Sequence, residues 1–276
     1  MRGCEGAGVL GCEGARVRGC EGARVHNCWM RNLIQRFAAI VVVLACAQIS
    51  SAQTADEVIE KSIAAMGGRA AMEKIKTRQT TGTLTLSTPA GDIPGEIEVT
   101  NAAPNKTRTV IKADLSSLGA GPMLIDQRFD GTTGYVLDSL QGDRPITGDQ
   151  LANMRANSFP HPFLNYKGIG TSVKLSGKEK DGTRDAFVLV FEPASGPVVR
   201  QYVDAETYLP LKAIIKLTLP QVGEVEQTAR SSDYRDVDGM KVPFKLEVSS
   251  AVQSFTIVIS KVTNNVPVDD KLFVKP

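Results

Sequence analysis

The side chains able to do chemistry are few and poorly grouped. Beyond position 26 the chain holds one histidine, His161, set between Pro160 and Pro162. Hydrolysis through a serine, threonine or cysteine needs a base beside the nucleophile, and there is no other imidazole in that region to serve. No G-x-S-x-G turn, H-E-x-x-H helix, C-x-x-C pair or Walker loop occurs. Gly168-Ile169-Gly170 is too short for a dinucleotide fingerprint, and Asp269-Asp270 sit in a tail. The strand glutamates fall at solvent-facing positions, so no glycosidase pair stands out. Asp130 precedes Gly131 in a turn signal. His161 therefore reads as a surface or loop-packing residue, and the chain as a non-enzyme with neither cofactor nor metal.

The cysteines carry a different message. Cys4, Cys12, Cys20 and Cys28 recur within an eight-residue repeat, GCEGAGVL-GCEGARVR-GCEGARVH, too small and polar to build a core and unlike the spacing of structural zinc sites. Residues 1–29 are expected to be absent from the mature protein. From Met30 the order is Arg31 and Arg36, an apolar run over Phe37–Ala45, then Ser50-Ser51-Ala52, the three parts of a secretory signal over residues 30–52. That predicts an exported, periplasmic protein. Val43-Leu44-Ala45-Cys46 also resembles a lipobox, which gives the alternative of a membrane-anchored lipoprotein held through Cys46.

Cleavage after Ala52 would remove six arginines and three glutamates, leaving 26 basic and 27 acidic side chains and no cysteine. With no basic surplus to neutralise phosphates, nucleic acid is not an expected partner. Residues 53–276 are expected to form one domain, stable through its core alone.

The elements that must organise this domain begin with Thr54–Lys76. Thr54 and Glu57 have capping-box spacing, and Gly67-Gly68 can end the helix. Val58, Ile59, Ile63 and Met66 form one apolar stripe. After this segment the chain alternates as strands: TLTLS at Thr83–Ser87, EIEV at Glu96–Val99, and a long apolar parity from Leu209 to Leu219. We expect about ten or eleven antiparallel strands, mostly β within an α+β class, curling into a half-barrel with a hollow. Thr147–Arg155 reads as a short lid helix, followed by a proline-stiffened loop carrying Phe159, Phe163 and Tyr166 at the mouth.

Parity assigns Leu84, Leu86, Ile97, Val99, Leu211, Ile215, Phe244, Leu246, Phe255 and Ile257 to the hollow. The stripe of Val58, Ile59, Ile63 and Met66 is its natural filler. The runs DEVIEKSIAAMGGRAAMEKIKT, FDGTTGYV, DAETYLPLKAI and SDYRDVDGMKVPFKLE resemble exported bacterial proteins of the outer-membrane lipoprotein-sorting type, the LolA/LolB-like superfamily. The resemblance implies an antiparallel half-barrel whose apolar concave face accepts acyl chains. The implied ligand is a lipid or acylated lipoprotein, with membrane-associated envelope proteins as further partners of a monomer. A structural module whose hollow is filled by its own helix is the competing expectation.

Overall fold

The computed structural model describes residues 53–219 and 223–276. The repeat, the signal segment and Cys46 lie outside the described residues. Helix α1 (Ala55–Ala65) starts at a Thr54 cap in which Thr54 Oγ1 accepts the Glu57 N–H and the Glu57 carboxylate accepts the Thr54 N–H. It ends in the bond pair of a Schellman motif, Gly68 N–H to Ile63 O and Gly67 N–H to Ala64 O. Helix α2 (Arg69–Glu73) follows at once.

Among the described residues, thirteen strands then form a single antiparallel sheet. These are β1 (Thr77–Thr88), β2 (Gly91–Ala102), β3 (Lys106–Asp114), β4 (Pro122–Phe129), β5 (Gly134–Asp138), β6 (Arg144–Ile146), β7 (Ser172–Asp181), β8 (Arg184–Glu192), β9 (Val199–Asp204), β10 (Pro210–Leu219), β11 (Gly223–Val237), β12 (Met240–Ser250) and β13 (Ser254–Asn264). The spatial order runs from β6 back to β1, then from β13 back to β7. The chain thus enters at the centre, hairpins out to one edge, crosses to the other and hairpins back. A flat sheet of this size would be about 58 Å wide at ~4.8 Å per strand. It is instead curved into an open half-barrel. Register shifts at Thr81/Gly82, Leu175/Gly177 and Pro210/Lys212 each add a residue to one strand and increase its coil. The strand beyond the expected ten or eleven that left least trace is β6, whose three residues are too short to alternate.

The crossing segment, residues 147–171, joins opposite sheet edges and lies over the face that carries the core. It holds α3 (Gly148–Ala156) and a 3-10 turn at Pro162–Leu164. Its anchors reach both halves of the sheet. Asp149 accepts the Thr218 N–H at 3.0 Å, Arg155 donates to Thr132 O at 2.6 Å, and the Phe159 N–H meets Pro104 O at 2.6 Å. Both edges are blunted against further pairing, β6 by its length and β7 by Lys174, Lys178 and Lys180.

Two contacts give measurable consequences. Gly67 packs on the β11–β12 turn: its φ is +116°, and a Cβ there would lie 2.1 Å from Gly239 O. Gly67→Ala is expected to cost about 3 kcal/mol, combining backbone strain with the collision. Gly68→Ala, at φ +88° with open space around it, should cost about 1 kcal/mol. Urea unfolding of the two variants side by side tests whether α1 docks through this glycine.

On the convex face Asp181 accepts from Lys212 at 2.8 Å and from both Arg230 Nη atoms at 2.7 and 2.8 Å, with its side chain 7% exposed. The Arg230 bonds, with those of Lys212, outweigh desolvation and pull its pKa down to about 2. The folded-state value is depressed, so the stabilisation is complete above the unfolded value near 4 and disappears as pH falls from about 4 towards 2. The loss is expected to be about 2 kcal/mol, and Asp181→Asn should remove that part of the acid dependence in urea titrations.

Candidate functional site

The concave face is divided among three coverings. Over β7–β9, α1 buries Val58, Ile59 and Ile63 at 0–1% exposure against Phe187, Leu189 and Val203. Over β4–β6, α3 sets Met154 and Leu151 against Phe129, Val136 and Ile146. Between them, under the loop Asn157–Tyr166, the floor is left partly open.

Two adjoining cavities occupy that middle. The first, of about 350 Å³, is floored by β1, β2 and β9–β13 and includes Ile97, Val99, Leu246, Ile257, Ile259 and Val242, with Met66, Pro160 and His161 above. The second, of about 280 Å³, lies under the crossing segment between Phe163, Tyr166, Phe191, Val199 and Ile215. Gln201, Ala213 and Ala229, which pair directly across β9, β10 and β11, line both. Ala213 and Ala229 carry the shortest side chains on that shared border.

Cross-strand register resolves the floor into rungs. Across β2–β1–β13 they run Gly95–Leu84–Ile257, Ile97–Gly82–Ile259, Val99–Thr80–Val262 and Asn101–Arg78–Asn264. The first two rungs are thus apolar throughout, the third sets Thr80 between two valines, and the fourth is polar throughout. Arg78 is 8% exposed, donates from Nε to Asn264 Oδ1 at 2.8 Å and from Nη2 to Met240 Sδ at 3.2 Å, and lies 5.5 Å from the Phe159 ring. Loss of hydration draws its pKa down to about 10, opposed by the charge of Asp238. A third recess, of about 350 Å³ and polar, opens from the same residue between Asn101, Asn105, Gln127 and Ser158.

Of the residues assigned by parity, Ile97, Val99, Leu246 and Ile257 meet in the first cavity and Ile215 in the second. Leu84, Leu86 and Phe255 share that face but lie outside the cavities, Leu86 and Phe255 forming the next rung outward. Phe244 is buried with Val242 and Ile259, with the Arg235 guanidinium 4.4 Å from its ring. Leu211 is a correction: it packs on the opposite face with Ala186, Val188 and Tyr202. The register shift between Pro210 and Lys212 makes Leu211 the extra residue of the strand, so it falls out of phase with Ala213 and Ile215, which keep the face expected of them. Of the mouth residues, Phe163 and Tyr166 border the second cavity and Phe159 the polar recess. Of the filler stripe only Met66 reaches the first cavity; the other three residues are spent against β8 and β9.

His161 is half-buried and lines the first cavity. Its Nδ1 accepts the Phe163 N–H at 3.3 Å, and desolvation followed by the nearby Arg78 charge pushes its pKa down to about 4. Among the described residues no group of three or more His, Cys, Asp or Glu is placed to hold a metal. Asp130 accepts the Thr132 and Thr133 N–H groups at 2.7 Å, which is turn chemistry. Sequence reading passed over Arg78, Gln201, Ala213 and Ala229. The available signal was that Arg78 shares strand parity with Thr80, Gly82, Leu84 and Leu86, an arginine in phase with an inward face.

Comparison with solved structures places the fold. A LolA superfamily protein from Nitrosomonas europaea aligns with a TM-score of 0.52 at 15% identity, over 81% of this chain and 99% of that one. A DUF1329 family protein from Desulfovibrio piger aligns with a TM-score of 0.51 at 13% identity, over 79% and 95%. The fold is LolA-like. No family model matches the chain, and no curated protein matches it.

Proposed function

We propose that the chain is a carrier-like binding protein of the cell envelope, holding an acyl chain of a lipid or acylated protein in its concave hollow without chemical change. The observation that carries this reading is the unfilled apolar floor between α1 and α3. The LolA-like fold supports it, as do the two cavities that share Gln201, Ala213 and Ala229 in their walls. Export to the periplasm rests on the signal-like segment at residues 30–52, and the further partners expected are membrane-associated envelope proteins.

At about 0.8 kcal/mol per buried methylene a long acyl chain gains roughly 10 kcal/mol gross, less several for immobilisation. That suits reversible pick-up and release. No catalytic role is assigned to His161, whose Nδ1 is engaged by backbone.

One observation favours the competing reading of a ligand-free structural module: α1 already consumes the apolar face of β8 and β9. Native mass spectrometry separates the two. Protein expressed from the full sequence in a bacterial host and purified from its envelope fraction is expected to carry a lipid-sized mass, released by organic extraction. Protein that is always empty, and takes up no amphiphile afterwards, would leave the structural module standing.

A further inference from the structure

We propose that Arg78 receives the anionic headgroup of the amphiphile in the hollow, so that the ligand class is a long-chain carboxylate or phosphate rather than a neutral lipid. This rests on the carrier reading above and names its substrate class.

A guanidinium offers five N–H donors and stays charged at neutral pH. Burying that charge is costly unless it is paired, and the other strongly buried ionic groups here obey the rule: Asp126 holds Arg108 and Arg128, and Asp181 holds Lys212 and Arg230. Arg78 breaks it. Among the described residues no carboxylate lies within ion-pair distance, and Asp238 reaches it only through Asn264, whose Nδ2 donates to Asp238 at 2.9 Å. Its partners are an amide oxygen and a thioether, and a thioether is a weak acceptor. Neither neutralises a charge.

The surroundings supply the rest of an amphiphile site. Arg78 borders both the first cavity and the polar recess, so it stands where apolar floor becomes polar. Because His161 Nδ1 accepts a backbone N–H, its proton in the neutral ring sits on Nε2, an uncharged donor to the same cavity, whose other cation, Lys241, is paired with Asp236 at 3.1 Å. From the Arg78 rung the floor runs over Val99, Ile97 and Ile257, towards Ala229 and the second chamber. A headgroup at Arg78 therefore leaves its chain on the apolar rungs.

Displacement of an uncharged naphthylamine fluorophore from the full-length protein tests this, with palmitate, hexadecyl phosphate, hexadecanol and inorganic phosphate as competitors. Palmitate and hexadecyl phosphate are expected to displace it at least about tenfold more effectively than hexadecanol, the margin of one charge-assisted hydrogen-bond pair. In Arg78→Gln that preference should vanish, and the thermal midpoint should hold or rise as an unpaired buried charge is removed. Should Arg78→Gln not fold, Arg78→Lys keeps the charge but not the fork, and its preference should drop at least about threefold. Equal displacement by acid and alcohol, or a preference that survives these substitutions, overturns the assignment while leaving the carrier reading intact. Inorganic phosphate matching hexadecyl phosphate overturns it in favour of a free-anion site. A fluorophore that never binds, with no effect of any competitor, overturns both.

Discussion

Replacing Phe163 with alanine is expected to destabilise the fold by about 4 kcal/mol, within the ~3–5 kcal/mol usual for emptying a buried phenylalanine site. The ring is 2% exposed, stacks on Phe191 with centroids 5.5 Å apart, and meets the His161 ring in a T-shaped contact with centroids 4.6 Å apart. It is also where the crossing segment joins the main core beneath α1. Losing it removes packing shared by a helix, a strand and the strap between the sheet edges, and little can collapse into the gap because the second cavity is already there. Urea unfolding at unchanged slope measures the loss, with Phe163→Leu as the control expected to cost about 1–2 kcal/mol. A cost below about 1 kcal/mol would mean that the strap is held by its polar anchors instead.

What was legible in the sequence was local chemistry and one periodicity. The Thr54–Glu57 cap and the Gly67-Gly68 stop depend on neighbours three to five residues away, and they form as read. Strand alternation likewise carries the half-barrel class and the inward face of most strands. It fails at Leu211, because a period of two survives only until a residue is inserted, and nothing in PLKAI marks the register shift. Parity also names a face without a height: Leu86 and Phe255 point the same way as Ile257, yet lie one rung beyond the rungs that border the cavity. The parts of the site most easily missed are those that make room. Ala213 and Ala229 border both cavities with side chains too small to fill them, and hydrophobicity ranks residues by what they fill. Arg78 was passed over for a related reason, since its burial depends on strands that meet only after the whole chain has returned to the centre of the sheet.

The same small residues give the second large prediction. Ala229→Trp is expected to lower amphiphile affinity by about 100-fold or more while leaving the thermal midpoint unchanged or higher. Ala229 pairs with Ala213 and borders both chambers, so an indole there occupies the passage through which a chain would run from the Arg78 end to Ile215. Excluding four to six methylenes forfeits about 3–5 kcal/mol at ~0.8 kcal/mol each, which is roughly two to three and a half orders of magnitude in affinity. Stability should not fall, because the new ring fills existing space rather than displacing packed neighbours. Short-chain acids that end before the junction should bind wild type and variant alike, so the length at which affinities diverge measures the distance from headgroup to plug. Equal loss for every chain length would instead mean that the indole has disturbed the headgroup end, and no loss at any length would mean that acyl chains do not enter between β10 and β11.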